Sequence, residues 1–234
     1  MWLLGGATLA SDVAEARRQY RLGYRFFKIK VGAKPLAATI ATLNALRREL
    51  GPRVQLCADA NMGLTPHAAS AFVRGVARAG VLYFEQPFGK PHIAAMARLA
   101  RTSKIPLAID ESFAGVADLV TYYSARAAQG AAIKCISLGS LAATVTAAAV
   151  ADALGMAVNI SSKIAESSVA GAALLHVAAA INETAWGVSP TNCYLAADIV
   201  RAPITLKRGR LKVPDGDGLG VTVDTKAVNR MRIR

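Results

Sequence analysis

Three carboxylates in this 234-residue chain each close a short apolar run. Residues 54–58 run into Asp59, residues 81–84 into Glu85, and residues 105–109 into Asp110, with Glu111 next. The spacing is about 25 residues in each case, one strand plus the return helix of a parallel sheet. An apolar run closed by a polar residue reads as a buried strand whose C-terminal end reaches water. Carboxylates at equivalent strand ends converge on one point. Three like charges there are costly unless a cation sits among them, and three hard oxygens suit Mg²⁺ or Mn²⁺. Acids also end strands singly, as helix N-caps; it is the shared phase of all three that points to a metal.

Lysines supply the second half of the chemistry. Lys28 and Lys30 are two apart in the apolar run 26–31, so both point to one face. If that face is a barrel lumen, each disfavours the other's charge, and one pKa is expected to fall toward neutrality, as suits a general base. The alternative is an edge strand with solvated lysines, which the flanking Phe26, Phe27, Ile29 and Val31 argue against. Lys134 ends a later apolar run in phase with the carboxylates, on the opposite side of the ring from Lys30. Two lysines facing each other across a metal can take a proton from one side and return it on the other. Asn61 shares a face with Asp59 or is a turn residue. Glu166 is a site residue or a first-turn acid favoured by the helix dipole. Lys163 faces either the mouth or solvent. No HxxxH or HExxH pattern appears, and Ser161-Ser162 and Ser167-Ser168 have no histidine partner, so zinc and Ser-His-Asp chemistry are not expected.

These side chains need a frame. Strands are expected at 2–5, 26–31, 54–59, 81–85, 105–110, 132–134, 157–160 and 185–188. Helices are expected at 11–23, 35–50, 65–78, 92–101, 118–126, 141–154 and 166–180, with caps and breakers at their ends. Eight strands alternating with helices describe an α/β fold, a TIM-type (β/α)8 or (β/α)7β barrel. A doubly wound sheet is the runner-up, but no glycine-rich phosphate loop follows the first strand. Residues 1–200 form the barrel, and 201–234 read as short strands and turns wrapping it.

The net charge is +13. Lysines and arginines are scattered except at 207–212 and 229–234, aromatic residues make up only 6% of the chain, and no nucleic-acid motif accompanies them, so a nucleic-acid partner is not expected. Three cysteines without a CxxC pattern fit buried, reduced thiols in a cytoplasmic protein. The longest uncharged run, 135–151, contains Ser and Thr and reads as a buried helix rather than a membrane span. His176 falls in an apolar helix and reads as core.

Together these residues resemble the barrel domain of the mandelate racemase/muconate lactonizing enzyme family of the enolase superfamily. The likeness rests on Lys28-Ile29-Lys30, Asp59-Ala60-Asn61, Glu85-Gln86-Pro87, Asp110-Glu111-Ser112 and Lys134 ahead of Gly139. It extends to 191–195 and to Gly218-Leu219-Gly220. The resemblance implies Asp59, Glu85 and Asp110 as Mg²⁺ ligands, with Mn²⁺ possible, Lys30 and Lys134 as the acid/base pair, and Lys28 as the neighbour that tunes Lys30 or meets the substrate carboxylate. In it, Glu166 matches the acid that follows the seventh strand, while Asn61, Glu111 and Lys163 are expected around the site as substrate or outer contacts from their positions, Lys163 standing outside the family pattern. A lysine at 134 resembles the muconate-lactonizing branch. The implied activity is an isomerase, a racemase, epimerase or cycloisomerase, that removes the α-proton of a small carboxylate substrate through an enediolate. A dehydratase on the same site, or an inactive metal-binding barrel, are the alternatives. Family members carry an N-terminal capping domain, which this sequence is expected to lack, and a homo-oligomer is expected in full-length form.

Overall fold

The computed structural model describes residues 1–232, and its core is one parallel sheet wound into a barrel. Eight strands lie side by side in chain order: β1 (Trp2–Leu4), β2 (Phe26–Lys30), β3 (Gln55–Asp59), β4 (Val81–Glu85), β5 (Leu107–Ile109), β6 (Gly130–Lys134), β7 (Ala157–Ser161) and β8 (Val188–Ser189). Every neighbouring pair is parallel. The Met1 amine donates to the Val188 carbonyl at 3.0 Å, which brings the first strand to the last.

Helices return the chain between strands: α1 (Leu9–Arg21), α2 (Leu36–Leu50), α3 (Pro66–Gly75), α4 (Ile93–Thr102), α5 (Val116–Ser124), α6 (Cys135–Leu138), α7 (Leu141–Ala153) and α8 (Ser168–Ala180). The strands are apolar on the face under the helical layer, and their polar residues, such as Lys28 and Asp59, are on the lumen side. Their outward residues, among them Phe27, Ile29, Leu56, Phe84, Leu107, Ile133 and Ile160, form the main core against the helices. A second, smaller cluster of Cys57, Tyr83, Ala108 and Trp186 fills the barrel interior, with the Tyr83 and Trp186 rings stacked 4.4 Å apart. That plug is the floor on which the polar groups stand.

Register decides which side chains meet. Lys30 lies beside Asp59 and Asp59 beside Glu85; on the other wall Lys134 lies beside Ser161 and Ser161 beside Ser189. Registered residues of parallel neighbours share a face, so all of these point into the lumen at the C-terminal mouth.

Several expected boundaries move. Helix α1 starts at Leu9 with Thr8 as its cap, because Ser11 is the third helical residue of a capping box rather than the cap itself. Asp12 is buried and accepts from the Gly6 N–H and Lys34. Strand β8 lies at 188–189 and not at 185–188. The Trp186 and Gly187 carbonyls accept from the Asn159 amide, and Gly187 closes a turn onto Thr184, so this stretch meets a side chain before it joins the ladder. A short helix, α6, precedes α7 and ends where Gly139 adopts φ +76°, a left-handed backbone that glycine takes without strain. The 201–234 segment is not all strands and turns: it contains α9 (Thr225–Met231), capped by Asp224. The end of the basic run 229–234 lies outside the described residues.

The tail is fastened to the barrel at named points. Gly209 packs so closely on Gly23, in the turn before β2, that a Cβ on Gly23 would lie 2.4 Å from the Gly209 nitrogen. His176, expected in the core, is half-buried and sits 3.3 Å from the Leu219 carbonyl in the tail. The thiols also differ from one another: Cys57 is buried, Cys135 half-buried and Cys193 exposed. Among the described residues no helix is long and apolar enough to cross a membrane.

Candidate active site

Asp59 and Glu85 are the last residues of β3 and β4, and Asp110 follows β5 directly. All three are buried, and one carboxylate oxygen from each lies within 4.8 Å of the others. Each is paired with a lysine. Lys28 donates to Glu85 at 2.5 Å, Lys30 to Asp59 at 2.6 Å, and Lys134 to both Asp110 oxygens at 2.6 and 2.5 Å. Strands β2 and β6 are four apart in a ring of eight, so Lys30 and Lys134 approach the triad from opposite walls.

One pKa of the Lys28–Lys30 pair is expected to fall, and for Lys28 the shift runs the other way. Burial opposes the Lys28 ammonium, but Glu85 and Asp59 outweigh burial and hold its pKa above the ordinary lysine value. Burial pushes the Glu85 carboxyl up to about 8, with Asp59 and Asp110 adding to the rise and Lys28 opposing it. Both shifts report the same field: carboxylates crowded in a low-dielectric lumen, which favours any cation and disfavours another negative charge. The donor set therefore fits a hard divalent cation, with three carboxylates from three strands and space above them.

The remaining expected residues fall into three groups. Asn61 is both of the things its position allowed. It sits in a tight turn with φ +41°, and it bridges the site by accepting from Lys30 at 2.8 Å and donating to Glu111 at 2.7 Å. Glu111 is exposed beside it, which leaves Asp110 as the buried member of the adjacent acidic pair. Lys163 stands exposed on the cavity wall. Glu166 does not line the cavity. Its carboxylate accepts from the Lys163 N–H at 3.1 Å and its own N–H donates to Thr191, so it fastens the loop after β7 to the end of β8.

Two features escaped sequence reading. Gln86, fully buried between Glu85 and Pro87, accepts from the Asp110 and Ser112 N–H groups and donates to the Ser112 hydroxyl and the Phe88 carbonyl. It locks the turn that presents Asp110. Its signal was present as the middle residue of Glu85-Gln86-Pro87, but nothing in the spacing said where its amide went. The other feature is Ser161 and Ser162, set aside for want of a histidine, which line the cavity.

The cavity holds about 390 Å³, and its wall includes Lys28, Lys30 and Lys134 with the three triad carboxylates, as well as Lys163 and Glu111. A larger hollow of about 630 Å³ lies outside the barrel between α1 and the tail and contains none of them. Cys57 lies below the site, and burial pushes its thiol up to about 12, which removes it as a nucleophile.

A family model described as enolase C-terminal domain-like matches residues 11–227. The chain belongs to the mandelate racemase/muconate lactonizing enzyme family of the enolase superfamily. It is 30% identical to muconate cycloisomerase 1-2 of Acinetobacter lwoffii over 99% of its own length and 60% of that protein's. It is 28% identical to muconate cycloisomerase 1 of Pseudomonas putida, over its full length and 62% of that protein's. The solved muconate lactonizing enzyme from Pseudomonas putida superimposes with a TM-score of 0.92 at 27% identity, covering 98% of this chain and 64% of that one. This member of the family thus spans a little over three-fifths of its relatives' length, and what it matches is the barrel that carries the triad and the facing lysines.

Proposed function

We propose that this chain is the catalytic barrel of a Mg²⁺-dependent isomerase that moves the α-proton of a small carboxylate. The observation that carries the reading is the buried triad of Asp59, Glu85 and Asp110 with Lys30 and Lys134 on opposite walls. A divalent cation held by the triad supplies positive charge to a substrate carboxylate oxygen as negative charge develops on it. The rest belongs to the chain. Lys28, anchored to Glu85 above the Tyr83 ring, keeps a fixed positive charge at the floor of the site. Asn61 orients the Lys30 ammonium, and Asp110 that of Lys134. In epimerisation one lysine removes the α-proton and the other returns a proton to the opposite face. In lactone-forming cycloisomerisation a carboxylate oxygen of the substrate adds to its C=C bond and one lysine delivers a proton to the α-carbon, the reverse reaction removing that proton from the lactone. The names of the relatives favour cycloisomerisation of a muconate-like diacid, and three hard carboxylate oxygens would accept Mn²⁺ in place of Mg²⁺. The unpaired thiols fit a reducing, cytoplasmic setting.

Exclusion of water belongs to this reading. Met62, Ile136 and Ile164 stand exposed in the loops and the short helix that follow β3, β6 and β7, around the mouth. A cover seated on them would dry the site and strengthen each charge interaction inside.

The test is hydrogen–deuterium exchange at the α-carbon of the lactone of muconate, followed by NMR in D₂O with Mg²⁺ present. Exchange is expected with the unaltered chain and is expected to fall on the order of 10²-fold or more in Lys30→Ala or Lys134→Ala, the scale of a lost general base. Undiminished exchange in both variants would overturn the two-lysine reading.

A further inference from the structure

The cavity wall formed by β7 and β8 carries four hydroxyls, from Ser161, Ser162, Ser189 and Thr191. Two of them are satisfied within the protein. The Ser189 hydroxyl accepts from the Asn159 amide at 3.1 Å, and the Thr191 hydroxyl donates to the Lys163 carbonyl. The other two are not. Ser161 is 5% exposed and Ser162 9%, and neither hydroxyl oxygen has a hydrogen-bond partner. Buried hydroxyls are nearly always paired, because an unpaired one loses its hydration with nothing in return. Finding two adjacent unpaired hydroxyls on the wall of the cavity is therefore informative, the more so because their neighbours on the same wall are fully used.

Position says what they face. Ser161 lies beside Lys134 in register, so its Cβ is on the lumen side. Strand β7 is four strands from β3, across the barrel from Asp59. As placed, neither oxygen is open to the cavity, and each must turn about its Cα–Cβ bond to meet a ligand there; the Thr39 and Tyr122 hydroxyls are unpaired too, but neither residue lines the cavity. Lys163, next in sequence, adds positive charge at the rim.

The geometry points to Ser161 and Ser162 as substrate-positioning donors, which bind an acceptor oxygen at the end of the substrate remote from the carboxylate that a divalent cation on the Asp59–Glu85–Asp110 triad would hold. This rests on the isomerase reading and narrows it: the ligand is a carboxylic acid with a second oxygen acceptor across the mouth, either a carboxylate or an amide carbonyl. The serines hold the far end still while a proton moves between the lysines, and they take no part in the transfer.

Calorimetry with Mg²⁺ present tests this on the unaltered chain, Ser161→Ala, Ser162→Ala and the double variant. Three probes are used: muconate, its monoamide, and hexa-2,4-dienoate, which has a methyl group in place of the far carboxylate. The double variant is expected to bind muconate at least tenfold more weakly and to bind hexadienoate unchanged. Loss for muconate alone identifies a charged acceptor; equal loss for the monoamide identifies a neutral acceptor oxygen as sufficient. Without ligand, the Tm of the variants is expected to stay level or rise, since an unpaired buried hydroxyl has been removed. Unchanged muconate affinity, equal loss for hexadienoate, a lowered Tm, or no binding of any probe by the unaltered chain would each overturn the assignment. The lysine-dependent exchange measured on the same sample separates this failure from that of the isomerase reading, because exchange persists if only the serine role is wrong.

Discussion

The side-chain oxygen of Gln86 accepts from the backbone N–H of Asp110 at 2.8 Å, across the gap between β4 and the end of β5. The same oxygen reaches the Ser112 N–H at 3.2 Å, and the amide nitrogen reaches the Ser112 hydroxyl at 2.9 Å. One side chain thus fixes the backbone on both sides of Glu111. Its own backbone has φ +40°, a conformation that non-glycine residues rarely adopt and that persists only where surrounding bonds hold it. Gln86→Leu fills the space but leaves these buried partners unpaired, and is expected to cost about 3 kcal/mol of stability. Urea denaturation measures it; a loss below about 1 kcal/mol would show that water replaces the clamp.

The metal assignment is tested by charge removal. Asp59→Asn, Glu85→Gln and Asp110→Asn each take one charged ligand from a small site and are expected to weaken Mg²⁺ binding more than tenfold by calorimetry. Glu111→Gln is expected to leave the affinity nearly unchanged, because Glu111 is exposed and its contact is with Asn61. If Glu111→Gln alone abolished binding, the wrong member of the adjacent acidic pair would have been chosen.

Gly130, the first residue of β6, is a packing requirement remote from the chemistry. A Cβ there would lie 2.2 Å from the Ala157 carbonyl oxygen and 2.4 Å from the Trp186 ring. A strand backbone and a buried ring cannot both yield, so Gly130→Ala is expected to destabilise by about 3 kcal/mol, the upper end for overpacking. A thermal midpoint within a degree of the unaltered chain would contradict this.

The apolar rim predicts behaviour in solution. Ile164 is 62% exposed, Ile136 57% and Met62 46%, all beside one opening. Apolar surface grouped in this way promotes association. The chain is expected to self-associate with rising concentration in sedimentation velocity, and Ile136→Ser with Ile164→Ser to shift it toward monomer. Sedimentation that is identical with and without the two serines would remove the rim as the cause.

The sequence by itself determined the repeating strand and helix, the barrel, and the in-phase ends at Lys30, Asp59, Glu85, Asp110 and Lys134. It could do so because each signal is local. A parallel strand buried on both faces is an apolar run, its end is marked by the first polar residue, and the spacing of successive ends repeats. Only the tertiary structure decided how the charges are balanced. Lys28 and Lys30 were expected to disfavour each other's charge, yet each is paired with a carboxylate from another strand, and which lysine meets which acid depends on register and lumen width. The same holds for Gln86, whose partners at Asp110 and Ser112 lie 24 to 26 residues away, and for β8, whose start is delayed by an amide from β7. It holds again for Ser161 and Ser162, which a search for local patterns passes over. What marks them is a missing partner, and that is visible only once every neighbouring strand is in place.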